Sequence, residues 1–95
     1  MLLSAKTAIE KLLQDAFSPS KLEVQDDSAQ HAGHAGANPA GNTHFSLIIV
    51  TEFFSQKSLL ERHRMIYRLL RPLMDEVGIH ALGIKALTEQ EWKGL

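Results

Sequence analysis

The stretch His44-Phe-Ser-Leu-Ile-Ile-Val-Thr51 decides the fold, because it is the clearest β-strand in this chain of 95 residues. It is rich in β-branched and aromatic residues, which favour extended backbone. Upstream, Lys21-Leu-Glu-Val-Gln-Asp26 alternates apolar and polar residues, as a half-buried strand does. The two segments together predict a hairpin with a long connecting loop.

Helical patterns lie on both sides of this hairpin. Apolar residues between Leu2 and Phe17 recur at approximately helical spacing, which predicts a first amphipathic helix that ends before Ser18. The sequence Ser58-Leu-Leu-Glu61 matches a capping box and predicts the start of a longer helix. That helix is expected to run to about Arg71, where Pro72 either ends it or begins a short second piece.

The remaining chain predicts one more strand and one more helix. After Gly78, the segment from Ile79 to Leu87 has the pattern of a third strand. Thr88-Glu-Gln-Glu91 is a second capping box and opens a short helix that carries Trp92. The order α-β-β-α-(α)-β-α predicts one α+β domain over residues 1–95, with a small three-stranded mixed sheet and helices on one face.

Composition excludes several classes of protein. The sequence contains no cysteine, which rules out a disulfide framework, a cysteine-based zinc ribbon and an iron–sulfur site made only from this chain's own thiolates. Its formal net charge of −1 gives no overall attraction to nucleic acid or membrane. Neither a signal peptide nor an apolar run of membrane-spanning length is present, so the sequence predicts a cytoplasmic protein.

Three of the five histidines lie in or directly after a segment rich in glycine and alanine. The segment 29–43 contains His31 and His34 and is interrupted by Pro39, a composition that predicts a mobile surface loop. Imidazole is the commonest protein metal ligand, and loops often carry binding residues. The loop is therefore either a source of metal ligands or a solvated linker whose histidines contact nothing.

The long helix presents two distinct faces. Its predicted apolar face has His63 near the centre, which suggests a hydrogen-bonded core histidine; that face comprises Leu59, His63, Ile66, Tyr67, Leu70 and Met74. A narrow basic stripe lies elsewhere on the helix and comprises Lys57, Arg64, Arg68 and Arg71. Such a stripe either binds a phosphate backbone or an acidic partner, or is simply a solvated helix face.

Three segments resemble the BolA family in order and in spacing. They are Arg62-His-Arg-Met-Ile-Tyr67, Ile79-His-Ala-Leu82 and Thr88-Glu-Gln-Glu-Trp92, and the segment Thr43-His-Phe45 with the preceding loop fits the same pattern. The likeness covers nearly the whole chain. It implies a fold similar to type II KH domains and a non-enzymatic partner of a monothiol glutaredoxin, with which a [2Fe–2S] cluster is shared; some members are also described as transcriptional regulators.

The resemblance also implies a ligand set for such a cluster. The glutaredoxin and glutathione would supply thiolates, and this chain would supply His80 together with a loop histidine. That second ligand would be His31, which aligns directly, or His34, three residues further on. Two imidazoles with two thiolates are a known ligand set for a [2Fe–2S] cluster. The protein is expected to carry no cofactor when alone and to be a monomer or weak homodimer.

The alternative is a DNA- or RNA-binding regulator that uses the basic stripe. Many BolA-like proteins have a glycine at the position of Gln56, and a glycine there would permit positive φ and close approach of the backbone to phosphate. Gln56 is expected to remove that freedom, and no GXXG sequence is present. An enzyme is least favoured, because no nucleophile is paired with a base and an orienting acid at a recognisable spacing.

Overall fold

The structure is a computed structural model that describes residues 4–27 and 44–95. Its elements are α1 (Ala5–Phe17), β1 (Lys21–Asp26), β2 (His44–Val50), a 3-10 helix (Glu52–Phe54), α2 (Leu59–Val77), β3 (Ala81–Leu87) and α3 (Glu89–Lys93). The predicted α+β fold with a three-stranded mixed sheet is confirmed. The loop predicted at 29–43, with His31 and His34, lies outside the described residues.

The sheet has the order β1-β2-β3. β1 pairs antiparallel with β2, as the predicted hairpin requires, and β2 pairs parallel with β3. A parallel pair needs a crossover connection, which α2 provides. Because β2 and β3 run the same way, His44 lies opposite Ala81 at what we call the amino end of the sheet, and Val50 lies opposite Leu87 at its carboxyl end.

The core lies between the sheet and the first two helices. α1 contributes Ile9, Leu13 and Phe17, which recur every four residues and therefore share one face. From α2 the buried apolar residues are Ile66, Leu70 and Met74, and from the strands they include Val24, Phe45, Leu47, Ile49, Leu82 and Ala86. Burial of these two helical faces fixes where each helix points its remaining side chains.

The buried face of α2 differs from the prediction in the first half of the helix. Arg62, only 5 % exposed, occupies the buried row with Ile66, whereas Leu59 is 65 % exposed. His63 is half-buried at the flank of this row, so its prediction as a core histidine at the centre of the face was wrong. The reason is that successive positions four apart, beginning at residue 62, face the core, and that row includes a charged residue which hydrophobic periodicity does not detect.

Pro72 neither ends α2 nor starts a second piece, since the helix continues through it to Val77. Proline lacks the N–H that would bond to the carbonyl of Arg68. Both Pro72 and Arg68 are exposed, so water can solvate that carbonyl. The additional turn also buries Met74. The prediction of a break at about Arg71 gave too much weight to a proline on the solvent side of the helix.

Local capping largely follows the sequence. Thr88 and Glu91 form a complete capping box for α3. At the start of α2 the Ser58 hydroxyl accepts a hydrogen bond from the Glu61 backbone N–H at 3.1 Å, but the Glu61 carboxylate contacts that hydroxyl rather than the Ser58 N–H, so the box is half formed. Within the described residues, no helix has the length and apolar character needed to cross a membrane.

The turn before α2 contradicts the expectation for Gln56. This residue has φ of 63°, in the left-handed region that glycine adopts without cost. The turn therefore has the backbone conformation of a glycine turn although it lacks the glycine. The carbonyl of the next residue, Lys57, accepts a hydrogen bond from the Arg62 side chain at 3.0 Å.

Candidate functional site

His80 lies at the amino end of the sheet, directly before β3. Gly78 ends α2 in the left-handed conformation with φ of 88°, and the N–H of Ile79 then donates to the carbonyl of Met74 at 3.0 Å. The side chains of Ile79 and Leu82 are buried, whereas His80 between them is exposed. A helix cap and two apolar anchors thus present this imidazole to solvent from a fixed backbone.

A second imidazole lies beside it. The ring of His44, the first residue of β2, is nearly parallel to that of His80, with centroids 6.4 Å apart and planes at 13°. The sequence predicts His44 as the first residue of a strand and assigns it no binding role. The signal that could have found it is the parallel pairing of β2 with β3, which brings the start of one strand beside the start of the other.

Hydrogen bonds fix the backbone on both sides of this histidine pair. The backbone N–H of Asp27 donates to the carbonyl of His44 at 2.8 Å, and the Asp27 carboxylate accepts a hydrogen bond from the Ser46 hydroxyl. On the other side, the Tyr67 hydroxyl donates to the carbonyl of Leu82 at 3.3 Å and joins α2 to β3. Hydrogen bonds therefore fix the backbone at the amino end, where the half-buried ring of His44 and the exposed ring of His80 lie side by side.

Imidazole nitrogen suits zinc, copper, nickel and iron, including the iron of histidine-ligated [2Fe–2S] clusters. Over residues 4–27 and 44–95, no group of three or more histidine, aspartate or glutamate side chains is arranged to hold a metal ion. Of the three predicted ligands, His80 is placed at the exposed amino end. His31 and His34 lie outside the described residues, so their relation to His80 stays a prediction.

The four residues of the basic stripe are all exposed, three on α2 and Lys57 in the turn before it. Lys57, Arg64 and Arg68 line one surface cavity of about 320 Å³ together with Glu61 and Met65. Arg71 does not line that cavity, and its guanidinium carbon lies 5.7 Å from the centroid of the Tyr67 ring. Three of the four predicted basic residues therefore share one cavity, and Arg71, one turn beyond Arg68 on the same helix, lies outside its lining.

Arg62 belongs to a different arrangement, at the carboxyl end of the sheet. Its guanidinium donates to the carbonyls of Lys57 and Ala86 at 3.0 and 2.9 Å, and to both carboxylate oxygens of Glu91 at 2.7 and 3.2 Å. The hydrogen bonds that Glu91 accepts from Arg62, and to a smaller extent the one from the Thr88 N–H, lower the pKa of Glu91 from 4.5 to about 2. All three guanidinium nitrogens of this buried cation donate within the protein, which makes Arg62 a structural residue.

A family model described as BolA-like protein matches residues 13–91. The chain belongs to the BolA family. Its described elements also superpose on the BolA domain of SufE1 from Arabidopsis thaliana with a TM-score of 0.83 and 45% identity, covering 96% of this chain and 99% of that one.

Two BolA-family relatives differ in size and name. SufE-like protein 1 of Arabidopsis thaliana is 47% identical over 87 residues, which is 87% of this chain but 23% of that protein. A relative in Escherichia coli, named DNA-binding transcriptional regulator BolA, is 39% identical over 87 residues and matches 92% of this chain and 78% of its own length. This chain therefore corresponds to less than a quarter of the length of SufE-like protein 1. The DNA-binding activity in the second name is that of the Escherichia coli protein.

Proposed function

We propose that this BolA-family protein is a non-enzymatic cytoplasmic adaptor that partners a monothiol glutaredoxin and shares a [2Fe–2S] cluster with it. Such an adaptor would act in iron sensing or in cluster delivery. The observation that supports the proposal best is the exposed imidazole of His80, which buried Ile79 and Leu82 hold on a fixed backbone. Family membership supports it independently.

The donor chemistry of the chain fits this cluster. A [2Fe–2S] cluster takes four ligands, and sets with two histidines and two thiolates have raised reduction potentials. With no cysteine, this chain offers imidazoles, and the thiolates would come from the glutaredoxin and from glutathione. His80 and either His31 or His34 would hold one side of the cluster. When bound, the cluster would supply one-electron chemistry and a transferable iron–sulfur unit.

His44 has a positioning role in this proposal. Its ring lies parallel to that of His80, and its backbone carbonyl is fixed by the Asp27 N–H. A neighbouring ring restricts the rotamers of an exposed side chain, so the His80 nitrogen is presented in fewer orientations.

The deciding experiment mixes the protein with a monothiol glutaredoxin, glutathione, iron and sulfide, and records the visible absorption of the mixed complex. We expect His80→Ala to abolish the mixed-complex spectrum while the far-ultraviolet circular dichroism stays unchanged. His63→Ala is the matched control, because His63 is a half-buried histidine on α2, outside the amino-end pair. A His80→Ala spectrum and cluster lifetime equal to those of the unmodified protein would refute the assignment.

The loop histidines are separated by the same measurement. If either can reach the cluster, the single changes His31→Ala and His34→Ala should each cost less than the double change, because a Gly/Ala-rich segment can reorient at modest entropic cost. If His31→Ala alone equals the double variant, His31 is the ligand and the two are not interchangeable.

Binding to nucleic acid is the second candidate function, and one observation favours it. Lys57, Arg64 and Arg68 surround a single cavity on an exposed surface. If these residues contact phosphate, a plot of log association constant for a duplex against log salt concentration should have a slope of about −0.9 per phosphate neutralised. The double change Arg64→Ala with Arg68→Ala should make that slope shallower by about two units. We expect weak, non-specific binding, since the net charge is −1. Sequence-selective binding at physiological salt that needs both arginines would make this the primary function.

A further inference from the structure

A shallow apolar groove runs between the end of α1 and the first half of α2. Its floor is formed by Ala16 and Phe17 from α1 and by Met65 and Leu69 from α2, around a volume of about 400 Å³. Arg68 is the one charged residue that lines it. A lining of this kind favours apolar side chains, with a cationic group on one rim.

The groove adjoins the basic cavity described above. Met65 and Arg68 line both spaces, so the two lie side by side on the surface of α2. The second space adds Lys57 and Arg64 on the rim, against one carboxylate, that of Glu61. Because Arg62 is buried and bound to Glu91, it contributes no charge to this surface. The result is an apolar floor with a cationic rim on the α2 side.

An exposed aromatic ring lies beyond the end of α1. The ring of Phe53 packs edge-on against that of Phe17, with centroids 6.0 Å apart, and remains 57 % exposed. Phe17 and Phe53 line a further space of about 210 Å³, whose other lining residues are polar and include Glu52 and Glu89. The apolar floor therefore ends at Phe53, where two carboxylates would repel the acidic residues of a ligand and confine them to the arginine side of the groove.

We infer that this groove docks an acidic amphipathic helix of a partner protein. Arg64 and Arg68 are one helical turn apart, about 6 Å, which matches two carboxylates four residues apart on another helix. Leucine-like side chains at helical spacing on the same segment would fill the apolar floor between α1 and α2. Cationic rims around apolar grooves recruit and orient acidic partners in this way.

A nucleic acid duplex matches only half of this surface. Phosphates can contact Lys57, Arg64 and Arg68, but a duplex backbone has no apolar side chains to cover Met65, Leu69 and Phe53. A purely electrostatic ligand would also use Arg71, which belongs to the same basic stripe but lines neither part of the groove. The role of Arg71 therefore distinguishes the two kinds of ligand. The inference does not depend on His80 or on any cluster.

The test uses a fluorescein-labelled helical peptide that has leucines at positions i, i+3 and i+7 and glutamates four residues apart beside them. The comparison ligands are the same peptide with lysines in place of the glutamates, and a 20-base-pair duplex. We expect fluorescence anisotropy to show the acidic peptide binding more tightly than either. The double reversal Arg64→Glu with Arg68→Glu should weaken acidic-peptide binding by about tenfold or more, and the lysine peptide should then bind this variant better than the acidic one.

Arg71→Glu is the matched control, since it makes the same charge reversal on an exposed arginine outside the groove. It should leave acidic-peptide affinity within about twofold. Ala16→Arg should block the floor and weaken binding although it adds positive charge. Circular dichroism of each variant confirms folding. Tighter binding of the duplex than of the acidic peptide, an equal loss with Arg71→Glu, or tighter binding with Ala16→Arg would each overturn the inference.

Discussion

The two ends of the three-stranded sheet hold their polar side chains in opposite ways. At the carboxyl end, Arg62 is 5 % exposed and its guanidinium is bound to two backbone carbonyls and to Glu91. At the amino end, His80 is exposed and His44 is half-buried, with their rings side by side. At the carboxyl end the charged Arg62 joins elements of the fold, whereas at the amino end His80 presents a potential nitrogen ligand to solvent.

This difference separates the residues that stabilise the fold from those that can bind a ligand. A buried arginine whose donors are all engaged cannot leave its partners without a large loss of stability. An exposed imidazole on a fixed backbone can exchange water for a metal or a partner at little cost to folding. Substitutions at the carboxyl end should therefore lower the stability of the fold and leave ligand binding unchanged. Substitutions at the amino end should weaken ligand binding and leave the stability nearly unchanged.

The largest effect on stability should come from Arg62→Met, which keeps much of the apolar stem and removes every donor. The carbonyl of Ala86 and the carboxylate of Glu91 would lose their partner, and we expect the free energy of unfolding to fall by about 3 kcal/mol. Denaturant titration followed by circular dichroism measures this loss.

The matched change at the other end is His80→Ala, which we expect to alter the free energy of unfolding by less than about 0.5 kcal/mol. Similar losses for the two variants would break the comparison, because His80 would then be as structural as Arg62. A neutral Arg62→Met would show instead that water replaces the guanidinium at little cost.

A smaller effect should appear when pH is varied at the carboxyl end. The hydrogen bond from Arg62 lowers the pKa of Glu91 from 4.5 to about 2 in the folded protein. A folded pKa below the unfolded one contributes stability that is fully present above pH 4.5 and is lost as the pH falls towards 2. Because the Glu91 side chain is 44 % exposed, solvent screens the pair and its contribution is less than that of Arg62.

Glu91→Gln is the comparison variant for this pH effect. It keeps the shape of the side chain and removes its titration. The difference in unfolding free energy between the unmodified protein and Glu91→Gln should be largest near pH 6 and should shrink between pH 4.5 and 2. A difference that stays constant over that range would show that the carboxylate charge contributes nothing to folding.

The sequence predicted the elements better than it predicted the chemistry of the two ends. β1 was predicted with the bounds observed, and β2 was predicted one residue too long, because alternation and β-branched residues report local backbone. The third strand was predicted from Ile79 but begins at Ala81, so His80, predicted near the start of that strand, lies directly before it. These features depend on neighbours in the chain, which a single sequence displays directly.

The missed features depend on contacts between distant segments. No structural role was predicted for Arg62, because its partner Glu91 is 29 residues away and only the fold brings them together. His44 and His80 became neighbours through the parallel pairing of β2 and β3, and the predicted mixed sheet left open which strand β3 pairs with. His63 was predicted in the core because hydrophobic periodicity counts only apolar residues. A buried arginine at position 62 therefore did not enter the predicted buried face.

The smallest effect should come from relieving strain at Gln56, beside the carboxyl end. A residue with a Cβ is disfavoured at φ of 63°, and Gln56 precedes Lys57, whose carbonyl accepts a hydrogen bond from Arg62. Gln56→Gly removes the steric cost but makes the unfolded chain more flexible, so we expect a net gain of about 0.5 kcal/mol in the free energy of unfolding.

Gln56→Ala is the control for this gain, because alanine retains the Cβ and should bring no stabilisation. If the Arg62 hydrogen bond holds the turn in its left-handed conformation, the gain from Gln56→Gly should shrink when Arg62→Met is also present, because the turn can then relax by itself. A double-mutant cycle measured by denaturant unfolding tests this coupling. Strict additivity would mean that other contacts hold Gln56 in its left-handed conformation. The network of hydrogen bonds at the carboxyl end would then not extend from Arg62 to the turn.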